Sequence, residues 1–308
     1  MDAYHQSSLM IDGRQFTSRS MQESDLENVD ELTSQNHLDV GPEILRLNFN
    51  TSPGGFKVAL DEGGRIVAME GHNLMSNGLK LSAQVLVSEE LRGKGISRLL
   101  SGAGDIGSAT KFSLQRYGRY VDVFRHKSIA YYGMPHLGKL DRLLPSDQVC
   151  RLTRIDAGTV EDVVKYDKQI LPGVERSNYI REWCLPTNYG NKSAGLVAYT
   201  PENEICGFGV LMQYNTYIYL TPMYADTEAV ARQLYVGLLK LYREVWGMAY
   251  FCMFGQGRKR LIREVAENLG LNFVGTEQYW HKSDSKTVDF MKTVQFDKVY
   301  STFDFWPV

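Results

Sequence analysis

Between Val85 and Leu100 the chain reads VLVSEELRGKGISRLL: strand-forming apolar residues, a short acidic turn, a basic pair of glycines, then apolar residues at Ile96, Leu99, Leu100 and Ala103 on one helical face. No other stretch limits the fold as much. A strand that passes through Arg92, Gly93, Lys94, Gly95, Ile96 and Ser97 into a helix lets the turn offer several backbone amides at a helix N-terminus. Such a place binds phosphate.

The segments around it follow the same alternation of period-2 and period-3.6 patterns. RQFTSRSM reads as a strand, ESDLENVDELTSQN as a helix, and FKVALDE with RIVAMEGHNL as a hairpin across Gly63-Gly64. LSAQVLVS is a strand, ISRLLSGAGDI a helix and YVDVFRH a strand. After Pro145 the order resumes: RLTRI, the helical TVEDVVKYDKQIL, the hairpin GLVAYTPENEICGFGVLMQY and the strand TYIYLTP. The helix AVARQLYVGLLKLYREVW, the strand AYFCMF, the helix RLIREVAENLG and a strand near FVGTEQYW complete it. The chain has 308 residues, enough for two domains. We expect a duplicated α+β unit, with domains at 1–145 and 150–308 and a linker at 144–150.

Composition narrows the partners. With 34 basic against 36 acidic residues, no global field steers the chain to nucleic acid or an anionic membrane. The window ICGFGVLM at 205–212 is far too short to span a bilayer. Cys150, Cys184, Cys206 and Cys252 lie far apart, which fits neither a disulfide framework nor a zinc cluster, and His72, His126 and His136 lack ligand spacing, so no metal is expected. A soluble cytoplasmic protein acting on a small molecule is the expectation.

Three phosphate motifs compete at the glycine turn. The P-loop pattern fails, because Ser88 stands where its first glycine belongs and Ile96 follows Gly95. The dinucleotide fingerprint occurs as GAGDIG, Gly102 to Gly107, with Asp122 beyond it, but no strand directly precedes it. The third match holds: VLVSEELRGKGIS resembles the acetyl-coenzyme A motif of the GNAT N-acetyltransferase superfamily, (R/Q)-x-x-G-x-(G/A), with Ser97 at the last small position. The resemblance extends to element order over roughly 10–140. It implies two tandem GNAT-like domains, each a mixed, mostly antiparallel sheet flanked by helices, with acetyl-CoA as co-substrate. It also implies that Arg92, Gly93, Lys94, Gly95, Ile96, Ser97 and Arg98 hold the pyrophosphate, while Val85, Leu86 and Val87 pair with the pantetheine arm.

Acetyl transfer to an amine needs a base for the nucleophile, a polarised thioester and a proton for the departing thiolate. The family often supplies the proton from a tyrosine in a helix within N-x-x-A-x-x-x-Y; RHKSIAYY is similar and puts Tyr132 there, with Tyr131 as fallback. Arg125 and Ser128 depart from the pattern, and Pro135 follows early. The base is left open between Glu70 and Asp122, each near a strand end.

The second half resembles the acetyltransferase-like domain of tandem proteins typified by YitH, yet has MYADTEA, with no glycine, where the first half has RGKGIS. Side chains there would obstruct pyrophosphate, so this half is expected to bind no CoA and to wall the acceptor pocket with Tyr214, Tyr217 and Tyr219. The expected function is transfer of an acetyl group from acetyl-CoA to a small amine by direct attack. The alternatives are a non-catalytic acyl-CoA-binding protein and a protein N-acetyltransferase; a homodimer is allowed by either.

Overall fold

The computed structural model describes residues 8–36, 42–52, 54–100, 105–109, 120–144, 147–185, 192–214, 216–256 and 259–301. These fall into two compact α+β units, one ending at Gly107 and the other beginning at Ser108.

In the first unit β1 (Ser8–Ile11), β2 (Arg14–Ser20), β3 (Phe56–Leu60), β4 (Ile66–Leu74) and β5 (Lys80–Val87) pair antiparallel in chain order. β6 (Ile106–Ala109) joins β5 in parallel at one register pair, Leu81 opposite Ile106. The helix α1 (Leu26–Gln35) buries Leu26, Val29 and Leu32, three apart on one face, and α2 (Pro42–Thr51) buries Ile44, Leu45 and Leu47. The short α3 (Ser97–Leu100) follows the glycine turn, and Ile96, Leu99 and Leu100 enter a cluster with Phe16, Ala59 and Ala68, against which Val87 packs. The buried Ser18 hydroxyl donates to the Leu99 carbonyl at 2.9 Å, fixing α3 to β2.

The helix expected over 96–106 does not reach Ile106, which lies on a strand instead. The reason is local: the Asp105 amide donates to the Lys80 carbonyl at 2.7 Å and the Lys80 amide donates back to the Asp105 carboxylate at 2.8 Å, pinning the chain beside β5.

The second unit has the strand order β13-β7-β12-β11-β10-β9-β8. Here β7 is Tyr120–Gly133, β8 Arg151–Arg154, β9 Ser193–Tyr199, β10 Ile205–Tyr214, β11 Tyr217–Ala225, β12 Tyr250–Gln256 and β13 Asn272–Lys282; β14 (Val299–Ser301) pairs with β11 off that path. All neighbours are antiparallel except β11 with β12. Among the described residues five helices accompany them: α4 (Val160–Ile170), α5 (Ser177–Cys184), α6 (Glu228–Trp246), α7 (Arg260–Leu269) and α8 (Ser285–Thr293). Leu234, Leu238, Leu239 and Tyr242 of α6 and Leu261, Ile262 and Val265 of α7 close a core over Phe251 and Met253 of β12. At Gly237, inside α6, a Cβ would come within 2.7 Å of the side-chain ends of Leu152 and Leu196, so any larger residue there would make both leucines shift.

Two expectations change here. Residues 120–144 pack with the second unit, so the units divide at Gly107 and Ser108 rather than at 144–150. Tyr132 stands near the end of strand β7, not on a helix, because β7 is paired along its length with β12 and β13. Among the described residues no helix is long and apolar enough to cross a membrane.

Candidate functional site

β5 ends at Val87 and a 3-10 turn over Glu89–Leu91 leads to the glycines. Gly93 and Gly95 have φ of 78° and 86°, the region in which a side chain is strained. A Cβ at Gly93 would meet nothing within 4 Å, and at Gly95 only the Arg98 side chain at 3.7 Å. Backbone conformation, not crowding, demands glycine, and the space over the turn is open. The Lys94 amide donates to the Leu91 carbonyl (3.3 Å) and the Arg98 amide to the Gly95 carbonyl (2.9 Å). Among the described residues the amides of Gly93, Gly95, Ile96 and Ser97 find no acceptor. Arg92 donates to the Val87 carbonyl (3.3 Å) and to Asn36 Oδ1 (2.6 Å), tying the turn to both β5 and the end of α1, while Lys94 pairs with Asp12 at 2.8 Å. Free amides ringed by Arg92, Lys94 and Arg98 suit a pyrophosphate.

Upstream of the turn, β5 is open on one side among the described residues. The Ser88 amide donates to the Val67 carbonyl at 2.8 Å, and backbone groups alternate along a strand, so Leu86 also faces β4 while Val85 and Val87 turn theirs the other way. β6 meets β5 only at Leu81, so among the described residues Val85 and Val87 have no ladder partner on that side. The two parallel strands form a fork at whose open edge an extended ligand carrying amides could pair.

The remaining sequence candidates separate. Glu70 lies on β4 directly opposite Val85 and is buried, with its Oε1 3.1 Å from Nε2 of the buried His72. Their spacing of two along one strand was a usable signal that the sequence reading passed over. The register shifts between Gly71 and His72, and a Cβ on Gly71 would strike the Phe56 ring at 2.6 Å. Asp122 is on β7 opposite Trp280, and its side chain lies outside the described residues. Tyr132 is 40% exposed on β7, whereas Tyr131 is buried in the second unit's core with its ring edge-on to Phe273 at 5.8 Å, a packing role. Glu70 and the glycine turn thus belong to the first unit, Tyr132 and Asp122 to the second. Register places Tyr132 opposite Cys252, on the sheet face that carries Tyr250 and Phe254. There Tyr219 stacks on Phe254 (6.0 Å) and Tyr217 leans on Tyr250 (5.7 Å) and Tyr219 (6.3 Å), an aromatic wall; the side chain of Tyr214 lies outside the described residues.

The same junction in the second unit differs in every respect. Between β11 and α6 lie only Asp226 and Thr227, and the Thr227 side chain accepts from the Val230 amide, so the helix end is already capped. The Asp226 carboxylate accepts from the Tyr166 hydroxyl at 2.9 Å and pairs with Lys298 at 2.9 Å. An acidic group stands where the first unit presents free amides. All four cysteines are buried and unbridged, and among the described residues no group of three or more His, Cys, Asp or Glu could hold a metal ion.

Comparison with known proteins agrees with this geometry. No curated protein matches the chain by sequence. Among solved structures, a candidate acetyltransferase from Pyrococcus horikoshii superposes with a TM-score of 0.67 at 16% identity, covering 97% of this chain and 98% of its own. A tandem GNAT protein of the clavulanic acid biosynthesis pathway gives 0.61 at 12% identity over 86% of this chain and 97% of its own. N-myristoyltransferase of Saccharomyces cerevisiae, with bound myristoyl-CoA, gives 0.59 at 13% identity over 91% and 81%. Residues 163–249 match the acetyltransferase (GNAT) domain family, in the half that lacks the glycine turn. Residues 163–249 are therefore similar to a GNAT acetyltransferase domain, and the chain has the fold of the tandem GNAT proteins.

Proposed function

We propose that the protein is an acyl-CoA-dependent N-acyltransferase, with acetyl-CoA as co-substrate and a small amine as acceptor. One observation carries this: the open fork at Val85–Val87 leads directly into four unpartnered amides at Gly93–Ser97. The amides and the cations of Arg92, Lys94 and Arg98 hold the diphosphate. The free backbone edge of β5 takes the pantetheine and polarises the thioester carbonyl. Glu70, with His72 beside it, accepts the amine's proton as nitrogen attacks the carbonyl carbon; the C–S bond then breaks, and the thiolate takes a proton from water.

The test is acetyl-CoA turnover over a library of amines, followed by mass spectrometry, with wild type and Gly95→Asp side by side. Acetylated product from wild type alone supports the reading. A second reading, a non-catalytic acyl-CoA-binding protein, is favoured by the placement of Tyr132 in the other unit from the glycine turn. CoA binding with no product from any amine or peptide would establish it, whereas product on peptides alone would make the protein a protein N-acetyltransferase.

A further inference from the structure

The fork of the second unit is not empty. β11 and β12 pair from Tyr217 opposite Tyr250 to Leu220 opposite Met253 and then part, and beyond that point β14 takes the place of β12, with Met223 opposite Ser301 and Tyr224 opposite Val299. The Ser301 hydroxyl donates to the Leu220 carbonyl at 2.8 Å, at the apex of the fork. The Trp183 indole N–H donates to the Thr221 carbonyl at 2.8 Å, and Pro222 brings no amide to satisfy. Val299, Tyr300 and Ser301 are all buried. The Lys259 ammonium donates to the Asp297 carbonyl and sits 3.7 Å from the centroid of the Tyr300 ring. This is how a sheet receives an extended peptide: main-chain pairing along an edge, with seats for alternate side chains.

We propose that the second fork is a receptor for an extended peptide, occupied in cis by Val299–Ser301, and that this occupant closes the second unit to acyl-CoA. The second clause rests on the reading of the first fork as the acyl-CoA site. A pantetheine arm and a β-strand compete for the same edge, and a tethered strand holds a large advantage in effective concentration. Asp226 adds to the exclusion, since its carboxylate faces the place a diphosphate would need.

The experiment uses the chain ended after Lys298, which keeps the ion pair of Lys298 with Asp226, and a labelled synthetic peptide of residues 299–308. The full chain should ignore the peptide, and the shortened chain should bind it one to one. A Ser301→Ala peptide should bind about fivefold more weakly, for one lost hydrogen bond. A scrambled peptide should not bind. A folded, shortened chain that ignores the peptide, or a full chain that titrates a second equivalent of CoA, overturns the proposal. Should the shortened chain not fold, hydrogen exchange on full-length Ser301→Ala decides: exchange at 299–301 should quicken at least about fivefold while α6 is unchanged, and equal exchange overturns it. Absence of CoA binding to the full chain would instead refute the acyl-CoA reading and leave the peptide result standing.

Discussion

Gly95 and Tyr132 divide the question of binding from that of chemistry. At Gly95 the φ of 86° would cost a typical side chain about 1–2 kcal/mol, but Asp visits this region more readily than most, and a Cβ meets only the movable Arg98. Gly95→Asp should therefore lower the melting temperature only slightly while abolishing CoA binding by calorimetry. Each charge-assisted bond lost at the turn is worth about 1.5–3 kcal/mol. Lys94→Ala, which removes an exposed ion pair with Asp12, should weaken CoA far less. Tyr132→Phe keeps the ring and removes the hydroxyl: kcat is expected to be unchanged with water as the donor, whereas a fall in kcat with little change in CoA affinity would assign that role to Tyr132. The glycine turn was legible because both its residue type and its spacing are dictated by backbone geometry. Tyr132 was legible as a residue and misplaced as structure, because a partial motif set it on a helix that the pairing of β7 overrides. The nearness of His72 to Glu70 was legible in their spacing of two on one strand, which puts both side chains on the same face.

At the scale of elements, the amphipathic helices and the paired strands were readable wherever a pattern ran long enough, as over 229–246 and 205–214. What escaped was short or set by distant partners: β14 is three residues whose state is decided by the gap beside Met223 and Tyr224. The segment after Leu100 read as helix, and Asp105 turned Ile106 to a strand through two bonds to Lys80. Lys259, beside β14, gives that region a pH dependence. Burial holds its ammonium down at about 8 against 10.5 for an exposed lysine. Between those pH values the unfolded chain binds the proton more readily than the native one, so the native state gains stability as pH rises through the window. In urea melts, the stability of wild type relative to Lys259→Met should therefore improve between pH 7 and pH 10; a difference that is flat with pH would mean Lys259 titrates as an exposed lysine.

For the whole molecule, the expected count of CoA sites is one per chain, at the first unit. Calorimetric titration giving two equivalent sites would contradict both the role of the glycine turn and the closure of the second fork. The place of β7 makes a second forecast. A chain of residues 150–308 lacks the strand between β12 and β13 and should be insoluble or unfolded, whereas 108–308 should give a cooperative melt. Solubility and a cooperative transition for the shorter piece would show that the slot can close without β7.

That slot also has a consequence for the growing chain. Gly133 leaves the ribosome long before Phe251, which it faces, and Tyr131 long before Phe273. Until β12 and then β13 have emerged, β7 lacks both neighbours and its hydrogen-bonding edges lie bare. The nascent protein thus carries an unpaired strand through the making of more than a hundred further residues, and the second unit can close only once β13 is out, late and all at once.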